Sequence, residues 1–133
     1  MIKYLSREKS KEILDLGIHP DFASLVSWKS IKNWQGNLIS GKEKISTKPF
    51  RPAVMGFEDF DCQDIFTIGD LIEILPQYIN EDQSSYNLCI EPYMGGGWIV
   101  SYDNFYDNTL HVCRDNEMIF ALYKMVIWFL TRK

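Results

Sequence analysis

The polar and apolar positions at the start of the chain follow a helical pattern. Residues 6–16 are rich in good helix formers, with Ser6 suited to the N-cap and Gly17 to the residue that ends the helix. Pro20 suits the first turn of a second helix that runs through Val26. The N-terminal part is therefore predicted to be two helices joined by a short turn.

Two further helices are predicted in the second half of the chain. Apolar residues recur at i, i+3, i+4 and i+7 between a capping Thr67 and Pro76, which predicts a helix over 68–75. Another helix is predicted over 115–131, with Asp115 as its N-cap. Its apolar surface is wider than one stripe, so the helix must be sandwiched inside the domain or contact a second copy. The residues that widen it form a candidate dimer interface: Met118, Met125, Trp128 and Phe129.

Between these two helices the period changes to two. Alternation over 86–91, 98–103 and 109–113 predicts three antiparallel strands with one apolar face. The fold class is therefore α+β: a three-stranded antiparallel meander over 86–113 packs against two helices, and the N-terminal helical pair completes the core. The glycines at 95–97 form a flexible hairpin connection, because a phosphate-binding loop would lead into a helix.

The region from 28 to 64 has no clear period. The spacing of Trp28, Ile31 and Trp34 allows a helix, and short extended pieces are possible at 37–40 and 44–47. Prolines 49 and 52 indicate a loop, which the acidic run 58–64 is expected to continue.

Composition indicates a single globular domain. The chain has 133 residues, of which 46% are apolar and 24% charged, which excludes a disordered chain, a collagen-like repeat and a coiled-coil rod. The domain divides into a basic helical or extended part, 1–52, and an acidic α+β part, 53–133. The first carries ten Lys/Arg and five Asp/Glu, the second four and thirteen. Either the basic part folds against the acidic part, or it forms a docking face for a partner.

The cysteines and the chain's apolar runs favour a cytoplasmic protein. Three cysteines are present, no pair has C-x-x-C spacing, and a chain of this length needs no disulfide. A polar run follows Met1 closely, so no signal peptide is predicted. The longest apolar stretch, 118–130, is too short to cross a bilayer.

Three segments of the chain resemble small proteins of phages and mobile elements from gut bacteria. They are the run Phe66–Pro76, the Trp-Ile-Val-Ser-Tyr strand at 98–102, and the helix from Glu117 to Trp128. The Lys-Glu-Ile-Leu-Asp-Leu-Gly run at 11–17 also fits. The resemblance covers about 80 residues. The shared positions are core and capping residues, so the resemblance implies a fold and carries over no functional residue.

An enzymatic function has little support in the sequence. A nucleophile needs a neighbouring base, and only His19 and His111 are available. His111 and Cys113 would point to the same side of a strand, about 7 Å apart. A small enzyme that uses His111 with carboxylates near Asp103 and Asp107 is the third function considered.

No metal or cofactor is predicted. Zinc would require Cys62, Cys89, Cys113 and His111 to meet, although no two of the cysteines have paired spacing. The acidic run 58–64 lacks the glycine that the calcium loop of an EF-hand needs at its sharp turn.

A basic stretch interleaved with aromatic residues is the most distinctive candidate surface. Cations with aromatic platforms suit nucleic-acid backbones and bases. However, the domain is acidic overall, and the second predicted helix offers no Lys or Arg to read bases. The candidate nucleic-acid or partner surface comprises Trp28, Lys29, Lys32, Trp34, Lys42, Lys44, Lys48 and Arg51.

The function expected from these patterns is non-enzymatic. We expect an accessory or protein-interaction protein of a phage or mobile element, which forms a homodimer or binds another protein. The alternative is a nucleic-acid-binding accessory protein that uses the stretch 28–51.

Overall fold

The computed structural model describes residues 1–49, 56–106 and 108–132. Three α-helices are present in this part of the chain: α1 (Arg7–Asp15), α2 (Ile68–Ile74) and α3 (Met118–Thr131). Seven strands are also present: β1 (Leu25–Lys32), β2 (Lys44–Thr47), β3 (Asp59–Ile65), β4 (Tyr78–Glu81), β5 (Ser84–Pro92), β6 (Trp98–Asp103) and β7 (Thr109–Asp115). The predicted α+β class is confirmed.

The strands form two antiparallel sheets. The first sheet has the order β2-β1-β3 and the second the order β4-β5-β6-β7. The three strands expected over 86–113 are present, but the sheet has a fourth strand at its edge. β4 was not predicted, because the turn that joins it to β5 consists of Asp82 and Gln83, which both have positive φ although neither is glycine.

The N-terminal part is one helix followed by a strand. α1 forms as expected, and the Ser6 hydroxyl accepts a hydrogen bond from the Lys9 amide. The second predicted helix is wrong: a single 3₁₀ turn, Pro20–Phe22, leads into β1. The amide of Ser24 donates at 2.8 Å to the Asp70 carboxylate of α2, which fixes the chain in place just before β1. From Leu25 onward the chain pairs with both β2 and β3.

The acidic run 58–64 is not a loop. It forms most of β3, which pairs with β1 along its length, so that Lys29 lies opposite Asp61. The acidic strand is stable because cations from other elements match its carboxylates. The extended piece at 44–47 is confirmed as β2, whereas 37–40 contributes only an isolated bridge between Leu38 and Lys32. Pro52 of the predicted loop lies outside the described residues.

The core lies around α3, which is sandwiched inside the domain. α1, α2, β6 and β7 all contact this helix, and within Met118–Thr131 only Lys124 and Thr131 are exposed. Glu117 precedes the helix without a side-chain cap, while the predicted cap, Asp115, accepts the Glu117 amide at 3.1 Å. The wide apolar surface of α3 is therefore covered by its own chain.

The residues of β7 that face the core differ from those expected. Alternation would place the apolar Leu110 and Val112 inside. Instead Cys113 is buried, and Val112 is 49% exposed. His111 shares the inner face, and its ring lies against Trp128 of α3. The aromatic contact thus permits a histidine where an aliphatic residue was expected.

Candidate interaction surface

Two of the six cations in the predicted basic surface pair with the acidic strand β3. The Lys48 ammonium lies 2.5 Å from the Asp64 carboxylate and donates to the Pro20 carbonyl at 3.1 Å. The Lys29 ammonium lies 3.9 Å from the Asp61 carboxylate. These two lysines are therefore engaged within the chain.

A helix also contributes a cation to this strand. The Arg7 guanidinium of α1 donates to the Asp61 carboxylate at 2.8 Å and to the Asp61 carbonyl at 3.0 Å. The hydrogen bond from Arg7 lowers the pKa of the Asp61 carboxyl, against a smaller opposing effect of burial. These contacts support the first interpretation of the charge pattern, in which the basic N-terminal part folds against acidic residues.

Of the remaining members of the predicted surface, Lys44 and Trp28 are in contact with each other. The Lys44 ammonium lies over the Trp28 ring at 5.0 Å, and the Trp28 indole donates to the Ser46 hydroxyl at 3.0 Å. Trp28 also packs edge-on against Phe60. Lys32 and Lys42 are exposed, and Arg51 lies outside the described residues. Trp34 is separated from Trp28 by the last four residues of β1.

At one end of the first sheet, three exposed apolar residues from separate points of the sequence are linked to the end of β1 through the backbone. Trp34 is 60% exposed, Leu38 80% and Phe57 74%. The Phe57 amide donates to the Trp34 carbonyl at 3.1 Å, and Leu38 bridges to the end of β1. We call these three residues the tip cluster. The sequence analysis singled out Trp34 alone, because Phe57 lies far along the chain and in a segment expected to be a loop.

The loop that carries Trp34 is held in one conformation. The Asn33 side-chain oxygen accepts the amides of Gln35 at 3.0 Å and Asn37 at 2.9 Å. The amide of Gly36 donates to the Asn33 carbonyl, and Gly36 has a φ of +88°, which glycine adopts without strain. Trp34 is therefore presented to solvent by an ordered turn.

The second sheet contains a loop with the same hydrogen bonds. The Asn104 side-chain oxygen accepts the amides of Tyr106 at 2.9 Å and Asn108 at 3.0 Å, and Phe105 takes the position that Trp34 has in the first loop. The sequence signal was available as Asn-aromatic-x-x-Asn at 33–37 and again at 104–108. The repeated pattern was missed because each copy, taken alone, has the composition of an ordinary polar turn.

The predicted dimer interface is absorbed into the core of the chain. Met125 is fully buried, so the prediction that it contacts a second copy is wrong. Met118, Trp128 and Phe129 are half-buried and pack against the same core. Trp128 contacts the rings of His111 and Tyr102 and the Arg132 guanidinium.

The residues considered for catalysis do not form a catalytic pair. The His111 and Trp128 rings are parallel with centroids 4.5 Å apart, and burial lowers the His111 pKa. Burial raises the pKa of the Cys113 thiol, which disfavours a thiolate. Asp103 instead accepts hydrogen bonds from Ser101 and Thr109, while Asp107 lies outside the described residues.

Neither a metal cluster nor a membrane-spanning helix is found in the described chain. Across residues 1–49, 56–106 and 108–132, no three His, Cys, Asp or Glu side chains are placed to hold a metal ion. Within the same ranges, the helices are too short or too polar to cross a membrane. His19 lies on the surface, where its ring nitrogen accepts the Asp21 amide at 3.1 Å.

A cavity of about 550 Å³ lies between the N-terminal segment, β2 and α3. Its wall includes the apolar Leu5, Ile45 and Phe120 and the charged Lys9 and Glu43. The Lys9 ammonium lies over the Phe120 ring at 5.6 Å, and Glu43 accepts the Ser27 hydroxyl. These contacts show no arrangement of nucleophile, base and orienting acid.

The chain was compared with models of protein families, with curated proteins and with solved structures, and none of these comparisons finds a match.

Proposed function

We propose that the protein is a non-enzymatic interaction protein and that the tip cluster is its working surface. The observation that carries this proposal is that Trp34, Leu38 and Phe57, all more than half exposed, lie at the same end of the first sheet. Large apolar side chains that an ordered turn holds in water cost free energy unless a partner covers them. The resemblance to proteins of phages and mobile elements supports a role as a cytoplasmic accessory protein of such an element.

The partner that we propose is a second copy of the chain. Lys32 on β1 lies opposite Asp59 on β3 at the base of the tip cluster, so the cluster is bordered by both signs of charge. In a contact with two-fold symmetry, Lys32 of one copy would lie opposite Asp59 of the other. The homodimer thus forms through the first sheet rather than through α3.

The size of the tip cluster sets the expected strength of this contact. Three such side chains expose about 400 Å² in total. Two copies would bury about 800 Å², which is less than a standard stable interface. We therefore expect a weak dimer, with a dissociation constant on the order of 100 µM.

The experiment is light scattering on variants at high protein concentration. Trp34→Ser combined with Phe57→Ser should give the monomer mass at concentrations where the wild type approaches the dimer. Met94→Ser is the matched control, because Met94 is also a fully exposed apolar residue on a hairpin loop, at the end of the other sheet. A wild type that stays monomeric at millimolar concentration contradicts the proposed self-association.

Nucleic-acid binding is the second candidate, and one observation favours it. Trp34 is exposed for stacking on a base, and two exposed lysines flank the first sheet, Lys32 at the end of β1 and Lys42 just before β2. The ion pairs of Lys29 and Lys48 leave fewer cations for phosphates than the sequence suggested. Fluorescence anisotropy with labelled single-stranded DNA tests this candidate. Binding that falls steeply with salt, and that Lys32→Ala with Lys42→Ala weakens, would support it.

A further inference from the structure

We propose that the cleft between the β4–β5 turn and the β6–β7 loop binds a neutral saccharide. The cleft has a volume of about 140 Å³ and lies at one end of the second sheet. This volume corresponds to a few water molecules or one sugar ring. The side chains that line it are Gln83, Ser84, Ser85, Asn104, Phe105 and Tyr106.

The chemistry of these side chains selects the ligand class. The Gln83 amide and two serine hydroxyls can each donate and accept hydrogen bonds, and the Asn104 amide can donate, because its oxygen already accepts two backbone amides. The two aromatic rings offer flat surfaces on which the C–H face of a sugar ring can stack. Among the described residues that line the cleft there is no cation or carboxylate, so these side chains offer no counter-charge to a phosphate, an amine or a nucleic-acid backbone. A neutral polyhydroxylated ring matches both parts of the lining.

The backbone of the loop that carries the two aromatic residues is fixed by hydrogen bonds, while the rings themselves are exposed. Phe105 is 93% exposed and Tyr106 is 83% exposed. Their loop is fixed by the Asn104 side chain, which accepts two backbone amides. Beneath it, the Asp103 carboxylate accepts the Ser101 and Thr109 hydroxyls, both at 2.8 Å. Such preorganisation reduces the entropy that binding must overcome.

The opposite wall of the cleft contains a strained residue. Gln83 has a φ of +65° in the turn between β4 and β5, a conformation that glycine or asparagine adopts far more readily. The preceding Asp82 also has positive φ, at +50°, but it does not line the cleft. A two-residue hairpin turn requires positive φ at both central residues, and this turn places Gln83 in the wall of the cleft.

The test is a titration followed by the amide chemical shifts of the full-length protein. The probes are methyl β-D-glucopyranoside, N-acetylglucosamine and maltotriose, each up to about 20 mM, because a cleft this small should bind with a dissociation constant of about 1 mM or weaker. We expect saturable shifts at Gln83, Ser85 and Tyr106 with at least one probe. Phe105→Ala should weaken this binding about tenfold, and Met94→Ala should leave it unchanged.

A pair of turn variants separates binding from folding. Gln83→Gly should raise the melting temperature, since glycine relieves the strain, and should weaken saccharide binding several-fold. Asp82→Gly should also raise the melting temperature but leave binding intact. The proposal is overturned if none of the probes shifts the cleft amides, or if Gln83→Gly and Phe105→Ala bind as the wild type does. It is also overturned if single-stranded DNA shifts these amides at lower concentration than the saccharides do.

Discussion

Arg7 and Asp61 join the first helix to the acidic strand of the first sheet. The guanidinium donates at 2.8 Å to the carboxylate and also reaches the Asp61 carbonyl and, at 3.4 Å, the Ser27 carbonyl. Because these residues lie 54 positions apart, the pair links the basic and acidic parts of the chain. This ion pair makes one cation of the basic part an internal partner of the acidic part.

The Asp61 contact predicts a stability difference that depends on pH. Asp61→Asn should lower the free energy of unfolding at pH 7 by about 0.5–1 kcal/mol, a small value because the carboxylate is partly exposed to solvent. The folded pKa of Asp61 lies below its ordinary value of 3.8. The stability that ionised Asp61 contributes is therefore fully present above its ordinary pKa of 3.8 and is lost as the pH falls through the lower folded pKa.

Urea unfolding of both proteins across acid pH measures this difference. The wild type and Asp61→Asn should differ by a constant amount from neutral pH down to about pH 5 and converge in stronger acid. A difference that stays constant through the most acidic conditions would show that the Asp61 charge does not act through Arg7.

The buried carboxylate of Asp70 predicts a larger loss of stability. It accepts the amides of Thr67 and Ser24, both at 2.8 Å, and the Ser24 hydroxyl, while its own amide donates to the Thr67 hydroxyl. Asp70→Ala leaves two backbone amides without this acceptor and should cost about 2–3 kcal/mol. Glu73→Ala, at an exposed position of the same helix, should change stability by less than about 0.5 kcal/mol. If thermal unfolding shows the same loss of stability for Asp70→Ala and Glu73→Ala, this role of Asp70 is contradicted.

The stack of His111 on Trp128 predicts a second pH effect. Burial lowers the folded pKa of His111 below its ordinary value of 6.5, so the unfolded chain binds the proton first as pH falls. The neutral His111 ring therefore contributes fully to the free energy of unfolding above pH 6.5, and this contribution is lost as the pH falls toward the folded pKa.

A phenylalanine at this position would keep the stack and remove the titration. His111→Phe should therefore reduce the rise in unfolding free energy between about pH 5 and pH 7. Val112→Gln, an exposed change on the same strand, should retain the wild-type slope. The explanation fails if denaturant titrations give His111→Phe and the wild type the same slope.

Local signals predicted the elements whose stabilising contacts are close in sequence. Ser6 caps α1, and Thr67 with Asp70 forms the capping box that begins α2. Three of the four strands of the second sheet, β5, β6 and β7, followed from their alternation. Conversely, β3 was missed because its carboxylates are matched by Arg7 and Lys29, which lie far along the chain. Sequence patterns do not show such partners.

The candidate surfaces were predictable only in part, for a similar reason. Trp34 was singled out as an exposed aromatic, but its neighbour Phe57 is 23 residues away and comes close through the pairing of β1 with β3. The spacing of Trp28, Ile31 and Trp34 also fits a helix, which obscured the strand and its turn. The apolar surface of α3 was correctly recognised as too wide for one sheet, but it did not reveal whether a second copy or the chain itself covers it.

In the homodimer that we propose, the tip cluster of one copy covers the tip cluster of the other. Sedimentation velocity of the unmodified chain, from micromolar to near-millimolar concentration, tests this claim most directly. We predict a weight-average sedimentation coefficient that rises with concentration from the monomer value toward the dimer value, with half-saturation on the order of 100 µM. A coefficient that stays at the monomer value over the whole range, after correction for non-ideality, would contradict it.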